Sequence, residues 1–208
     1  MRHLVLTAIM LFLLSALNAQ DLIKLPAPDT TGGKPLMQAL KERQSQRSFS
    51  EKELPTQLIS NLLWAAAGIN RPNGKRTAPT ASNKMEIDIY AATANGLYLY
   101  DAVNHQLQPV MTEDIRPSTG KQDFVKTAPI VLVYVADYAR MNKDEKVNDF
   151  YSATDVGFVS QNVYLFSASE NLATVVLGWV DKPALAGTMK LKTTQKVLLT
   201  QPVGYPAQ

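Results

Sequence analysis

The chain is predicted to fold as an α+β domain, with helices covering a central, mainly antiparallel mixed sheet. Three observations carry this. The run Pro129-Ile130-Val131-Leu132-Val133-Tyr134-Val135 is continuously apolar and β-branched, which reads as a central strand buried on both faces. Upstream, Ile87, Ile89 and Ala91 alternate with Asp88 and Tyr90, and Asn95-Gly96 turns that strand into a hairpin partner over Leu97 to Asp101. Separate segments carry helical apolar stripes instead.

The elements follow in order. Arg2, the apolar run from Leu4 to Leu14 and the small residues up to Ala19 read as a secretory signal peptide over residues 1–19. The apolar run is too short to span a bilayer, which needs roughly 20 residues, so no stable membrane anchor is expected after cleavage. Residues 20–34 hold Pro26, Pro28, Gly32 and Gly33 and lack periodicity, which marks an exposed N-terminal arm. Residues 35–208 are expected to form one domain, since no repeat or low-complexity tract divides them.

Within that domain, Leu36, Ala39, Leu40 and Arg43 follow helical spacing behind Pro35. A second helix is predicted from about Pro55 to Ala67, striped by Leu58, Ile59, Leu62, Leu63 and Ala66 and stopped by Gly68, with Trp64 as a core aromatic. Asn70 to Pro79 is rich in breakers and must be a loop. After the hairpin, a turn at Asn104-His105 returns the chain through Leu107. Ser152 to Asp155 fits a capping box ahead of a core helix carrying Val156, Val159, Val163 and Phe166. Ala173 to Leu177 reads as a short buried strand, Ala184 to Leu191 as a last helix and Val197 to Leu199 as a strand.

Composition excludes several chemistries. The sequence has no cysteine, so no disulfide, thiolate metal site or lipid-modified cysteine is possible. Its two histidines are His3, within the signal segment, and His105, at a turn, so no histidine-based metal site or triad can be assembled in the mature chain. A formal net charge of +3, scattered along the chain, gives no reason to expect nucleic acid. Redox chemistry would therefore have to come from a bound cofactor.

Arg43-Gln44-Ser45-Gln46-Arg47 brackets a hydroxyl with two guanidinium groups, which suits an oxygen-rich anion such as phosphate. Taken alone, two arginines four apart are more often a solvated helix face. Further along come Pro79-Thr80-Ala81-Ser82-Asn83, Gly96-Leu97-Tyr98-Leu99-Tyr100 and Asp155-Val156-Gly157 with Gln161-Asn162. Asn171 to Gly178 and Pro202-Val203-Gly204-Tyr205-Pro206 complete the series. Read together and in this order, from about Leu36 to Pro206, these segments resemble the nitroreductase-like flavin oxidoreductase family.

The resemblance implies a nitroreductase-like fold, non-covalent FMN and an intertwined homodimer with the flavin at the subunit interface. Arg43, Gln44, Ser45 and Arg47 match the family's early Arg-x-Ser-x-Arg/Lys element, which implies that Arg43 and Ser45 hold the phosphate side and Arg47 the pyrimidine edge. Pro79, Thr80, Ala81, Ser82 and Asn83 resemble the Pro-Ser-Ser-x-Asn loop that reaches a partner's flavin, with Ala81 in place of one hydroxyl residue. Val176, Leu177 and Gly178 match the segment that presents a backbone amide to flavin N5, and Trp179 is either a pocket wall or a packed aromatic. The chain lacks the basic residues that often follow the Val-Gly element, so Arg76 is a further candidate for the phosphate. No side chain is assigned as catalytic, since N5 carries the hydride.

The expected function is ping-pong electron transfer from NAD(P)H or an extracytoplasmic donor to an oxidised acceptor such as a nitro compound or quinone. A secreted flavin-binding module without turnover is the alternative, prompted by a signal peptide that sends the protein, in this reading, to the periplasm. The segments are also similar to a branch that includes azoline dehydrogenases, but Lys146 and Tyr151 have the wrong spacing for that branch's Lys-Tyr pair. Azoline oxidation is not assigned.

Overall fold

The computed structural model describes residues 21–141 and 144–207; the segment read as a signal peptide lies outside them. Seven strands form one sheet: β1 (Ile23–Lys24), β2 (Ile87–Thr93), β3 (Gly96–Asp101), β4 (Gln106–Met111), β5 (Ile130–Asp137), β6 (Ala173–Thr174) and β7 (Gln195–Gly204). Their spatial order is β1-β4-β3-β2-β5-β7-β6. Four α-helices accompany them among the described residues: α1 (Leu36–Glu42), α2 (Thr56–Ala67), α3 (Glu145–Ser169) and α4 (Lys182–Thr188).

The α+β class holds, but every strand pair is antiparallel, so the sheet is not mixed. The uninterrupted apolar character of β5 reflects coverage on both faces and not parallel neighbours. On one face Ile130, Leu132, Tyr134 and Ala136 join Ile87 and Ile89 beneath Leu62 and Leu63 of α2 and Val156, Val159 and Val163 of α3. On the other, Val131, Val133 and Val135 meet Tyr90, Phe49, Val125, Leu185 and Met189. Each such fully buried aliphatic side chain contributes roughly 1.5–3 kcal/mol, so alternate residues of β5 hold two cores at once.

Several boundaries differ from expectation, among them the last helix, which ends at Thr188, and the last strand, which spans Gln195–Gly204. The long helix begins seven residues before Ser152, because Asp144 is its true cap, accepting from the Val147 N–H at 3.1 Å. Ser152 and Asp155 are instead buried inside α3, so the capping-box pattern there is coincidental. The arm at 20–34 is exposed along most of its length but not free: β1 pairs with β4, and Leu25 is buried in the first core. Strand β6 ends at Thr174, after which Leu177 bridges Thr200 of β7.

His105 does sit in the turn, with φ +49°, yet its ring is held on both sides. Ser60 Oγ lies 2.7 Å from Nε2 and Tyr100 OH 3.0 Å from Nδ1. Ser60 is fully buried and donates its proton to the Pro26 carbonyl at 2.6 Å, so the pair fastens the arm to the sheet and is not a nucleophile with its base. Burial lowers the His105 pKa, favouring the neutral ring that this arrangement needs.

Candidate functional site

The Arg43–Arg47 stretch is fixed at both ends. Lys34 ties the start of α1 to the end of α3: its Nζ donates to the Ala168 carbonyl at 3.0 Å and to Asn171 Oδ1 at 2.6 Å. Asn171 itself adopts φ +56°, the left-handed conformation that ends α3 and turns the chain into β6. Beyond α1, the Gln46 N–H donates to the Thr174 carbonyl at 3.0 Å, and Phe49 bridges Pro206. The basic segment therefore runs along the β6 edge of the sheet, over the C-terminal third of α3.

At its centre stands Tyr164, half-buried on α3. The Arg43 guanidinium carbon lies 5.2 Å from the Tyr164 ring centroid, Ser45 Oγ is 2.9 Å from the phenol oxygen, and the Val176 N–H donates to that oxygen at 2.9 Å. Arg43, Gln44 and Tyr164 line one groove of about 420 Å³, with Pro206 on its wall. Two sequence-predicted segments, Arg43–Arg47 and Val176–Gly178, thus converge on a residue that sequence reasoning missed. Tyr164 follows Gln161-Asn162 within the recognised helix, but nothing in the sequence distinguishes its hydroxyl from that of a packed tyrosine.

The groups are open for a ligand. Neither Arg43 nor Arg47 forms an ion pair among the described residues, whereas Arg116 and Arg140 each hold a carboxylate at 2.7 Å. Arg47 and Ser45 are exposed. Leu177 exchanges backbone hydrogen bonds with Thr200 at 2.8 and 3.1 Å, but Gly178 is exposed and its N–H donates to no carbonyl among the described residues. A Cβ added at Gly178 would meet only Leu199, at 3.8 Å, and Gly178 is not among the residues with positive φ. The fold itself does not require glycine there; close approach from outside would.

The Pro79–Asn83 loop lies elsewhere. It forms a 3-10 turn in which Ser82 and Asn83 take φ +52° and +55°, and the Ala81 N–H donates to Asp155 Oδ2 at 2.7 Å. Thr80 Oγ1 accepts from the Met85 N–H at 2.9 Å, while Ser82 and Asn83 are exposed. Asp155 precedes Tyr164 by nine residues on α3, which separates the loop from the Arg43 cluster by about 13 Å of helix. Arg76 joins neither group. Its electrostatic neighbours are Asp88, Arg140, Tyr100 and Asp101, and its Nε is buried without a partner, so within one chain it does not reach the Arg43 groove.

Beneath the loop, Glu86 is fully buried and Asp155 nearly so. Neither Glu86 carboxyl oxygen faces a donor of ordinary geometry, and burial, together with the Asp155 carboxylate, pushes Glu86 up to about 7. No group of His, Asp and Glu among the described residues could hold a metal ion.

The polar groups that this α+β fold gathers at the β6 edge of the sheet are amides, hydroxyls and guanidinium ions. The chain belongs to the Nitroreductase family, which matches residues 40–205. It is 30% identical over 195 residues to a candidate nitroreductase of Methanocaldococcus jannaschii, covering 88% of this chain and 97% of that one. A crystal structure of a candidate nitroreductase from Ralstonia eutropha superposes with a TM-score of 0.87 at 43% identity, over 91% of each chain. One from Desulfovibrio desulfuricans, in complex with FMN, gives 0.63 at 19% identity, over 85% and 89%. Among the described residues no helix is long and apolar enough to cross a membrane.

Proposed function

We propose that this nitroreductase-family oxidoreductase uses FMN, taking electrons from a small-molecule donor and passing them to an oxidised organic acceptor such as a nitro compound or quinone. The observation that carries the reading is the convergence of Arg43, Ser45 and Val176 on Tyr164, beside two guanidinium groups without carboxylate partners and an unengaged Gly178 amide. The residues fit the group: a charge-assisted cradle for a phosphate at one end and a backbone donor for a ring nitrogen at the other. The FMN in the Desulfovibrio desulfuricans structure is consistent with the same choice.

When bound, FMN supplies the centre that accepts and gives hydride. Arg43 and Ser45 would hold the phosphate, a charge that does not change during turnover. Arg47 would supply a cation for the negative charge that the ring carries only when reduced. The Gly178 N–H would serve as a donor to the ring, and the missing Cβ would permit close approach.

The working unit in this reading is a homodimer in which Thr80, Ser82 and Asn83 of one chain complete the site of the other. Two features support it. The loop is displaced along α3 from the Arg43 cluster, and exposed apolar side chains stand on both α1 (Leu36, Met37, Leu40) and α3 (Phe150, Phe158). Export to the periplasm with cleavage after Ala19 is a further part of the proposal; it rests on the sequence pattern of residues 1–19.

An absorbance spectrum of the purified protein followed by anaerobic titration with NADH or NADPH tests the function. The expected result is a flavin spectrum that bleaches on titration and returns with a nitro compound or quinone. A flavin spectrum that no donor bleaches would favour the non-catalytic binding module; the absence of flavin from protein refolded with FMN would end the reading.

A further inference from the structure

The contacts of the Tyr164 hydroxyl have a direction. A backbone N–H can only donate, so the phenol oxygen accepts from Val176 at 2.9 Å. If Ser45 also donated to that oxygen, the phenol proton would have no acceptor among the described residues. Donation from Tyr164 to Ser45 Oγ, at 2.9 Å, satisfies both groups and frees the Ser45 proton. The result is a chain of donors, Val176 N–H to Tyr164 O–H to Ser45 O–H, whose last proton points to whatever Ser45 binds. Chains of this kind polarise along their length, which strengthens the terminal donor. The same ring carries the Arg43 guanidinium on its face.

We propose that Tyr164 is a positioning residue that fixes Ser45 as an outward hydrogen-bond donor and Arg43 as its neighbouring cation, tuning the site for an anionic phosphate over an uncharged ligand end. The proposal rests on the FMN reading above. Tyr164 does not itself touch the ligand in this scheme. It acts through Ser45 and Arg43, and through Val176 it ties their placement to the segment that ends at Gly178. One phenol therefore sets the spacing between the phosphate end and the ring end of the site.

The test compares FMN with riboflavin, which lacks the phosphate, by equilibrium binding to wild type, Tyr164→Phe, Ser45→Ala and the double variant. Tyr164→Phe keeps the ring beneath Arg43 and removes only the hydroxyl. FMN affinity should fall about tenfold while riboflavin affinity stays within about twofold, so the ratio of the two drops. Ser45→Ala should lower the ratio equally. The double variant should be no worse than Ser45→Ala, because both changes cut one chain. An unchanged ratio in either single variant, additive losses in the double, or equal loss of both flavins would overturn the proposal. Ser45→Ala keeps it testable should Tyr164→Phe fold poorly by circular dichroism. If wild type binds neither flavin, the FMN reading itself has failed, an outcome distinct from wild-type binding with an indifferent Tyr164.

Discussion

The backbone N–H of Ala81 donates to the Asp155 carboxylate at 2.7 Å, and this single bond anchors the Pro79–Asn83 loop to the middle of α3. Asp155 is 2% exposed, so its removal leaves the partly buried Ala81 amide without that acceptor. Asp155→Ala is expected to cost roughly 2 to 3 kcal/mol, the range for losing a charged hydrogen-bond partner indoors. Urea denaturation measures the cost. Hydrogen exchange should show the Ala81 amide losing protection ahead of the sheet.

Glu86 makes stability depend on pH. Its folded pKa, about 7, lies above the ordinary value of 4.5, chiefly through burial and secondarily through Asp155. The folded chain therefore holds a proton that the unfolded chain releases. The contribution is fully present below about pH 4.5, is lost as pH rises through about 7, and amounts to on the order of 3 kcal/mol. Arg140 opposes the shift only weakly, being engaged with the Met85 carbonyl and Asp88. Urea midpoints should fall between pH 5 and pH 8 for wild type relative to Glu86→Gln, whose own curve keeps the opposite slope that the lowered His105 pKa imposes below about 6.5; parallel curves would show that Glu86 does not titrate there.

Arg43 and Arg47 should fail differently. Arg43→Ala should weaken FMN binding by roughly 2 to 4 kcal/mol, with the chemistry little changed at saturating cofactor. Arg47→Ala should instead lower the flavin reduction potential and slow the reductive half-reaction more than it weakens oxidised FMN. Titration and potentiometry separate the two. Wild-type behaviour in both variants would detach this segment from the cofactor.

Gly178 offers a cleaner separation of folding from binding. With Leu199 at 3.8 Å as the only neighbour of an added Cβ, Gly178→Ala should leave the melting temperature within about 2 °C of wild type, a change of no more than about 1 kcal/mol. Flavin affinity should nonetheless fall, because the methyl group occupies the approach to the amide. Unfolding and binding measured on the same preparation decide it, and unaltered affinity would place the ring somewhere else.

The proposed dimer predicts the behaviour of Phe158, which is 45% exposed on α3. Phe158→Glu should shift the mass seen by light scattering from two chains towards one and release FMN with it, since each site would lose its partner's loop. A wild-type monomer that retains flavin would show that one chain suffices.

The sequence by itself determined the class and most elements. The β5 run, the hairpin at Asn95-Gly96 and the stripe of α2 each satisfy a local rule that tertiary contacts had no cause to override. It also singled out the segments of the proposed site, because arginine, serine and glycine in that order resemble a known pattern. Tertiary structure decided what such patterns do not encode. Asp155 looked like a helix cap, and burial made it an acceptor for a loop 74 residues earlier. Arg76 looked available to phosphate, and packing sets it, within one chain, among Asp88, Arg140, Tyr100 and Asp101. Tyr164 had no local signature at all, since its hydroxyl acquires meaning only when residues 119 positions before it and 12 after it are brought to the same oxygen. Short-range patterns are set by propensity and periodicity within one element, whereas hydrogen-bond partners and burial depend on packing between elements distant in the chain.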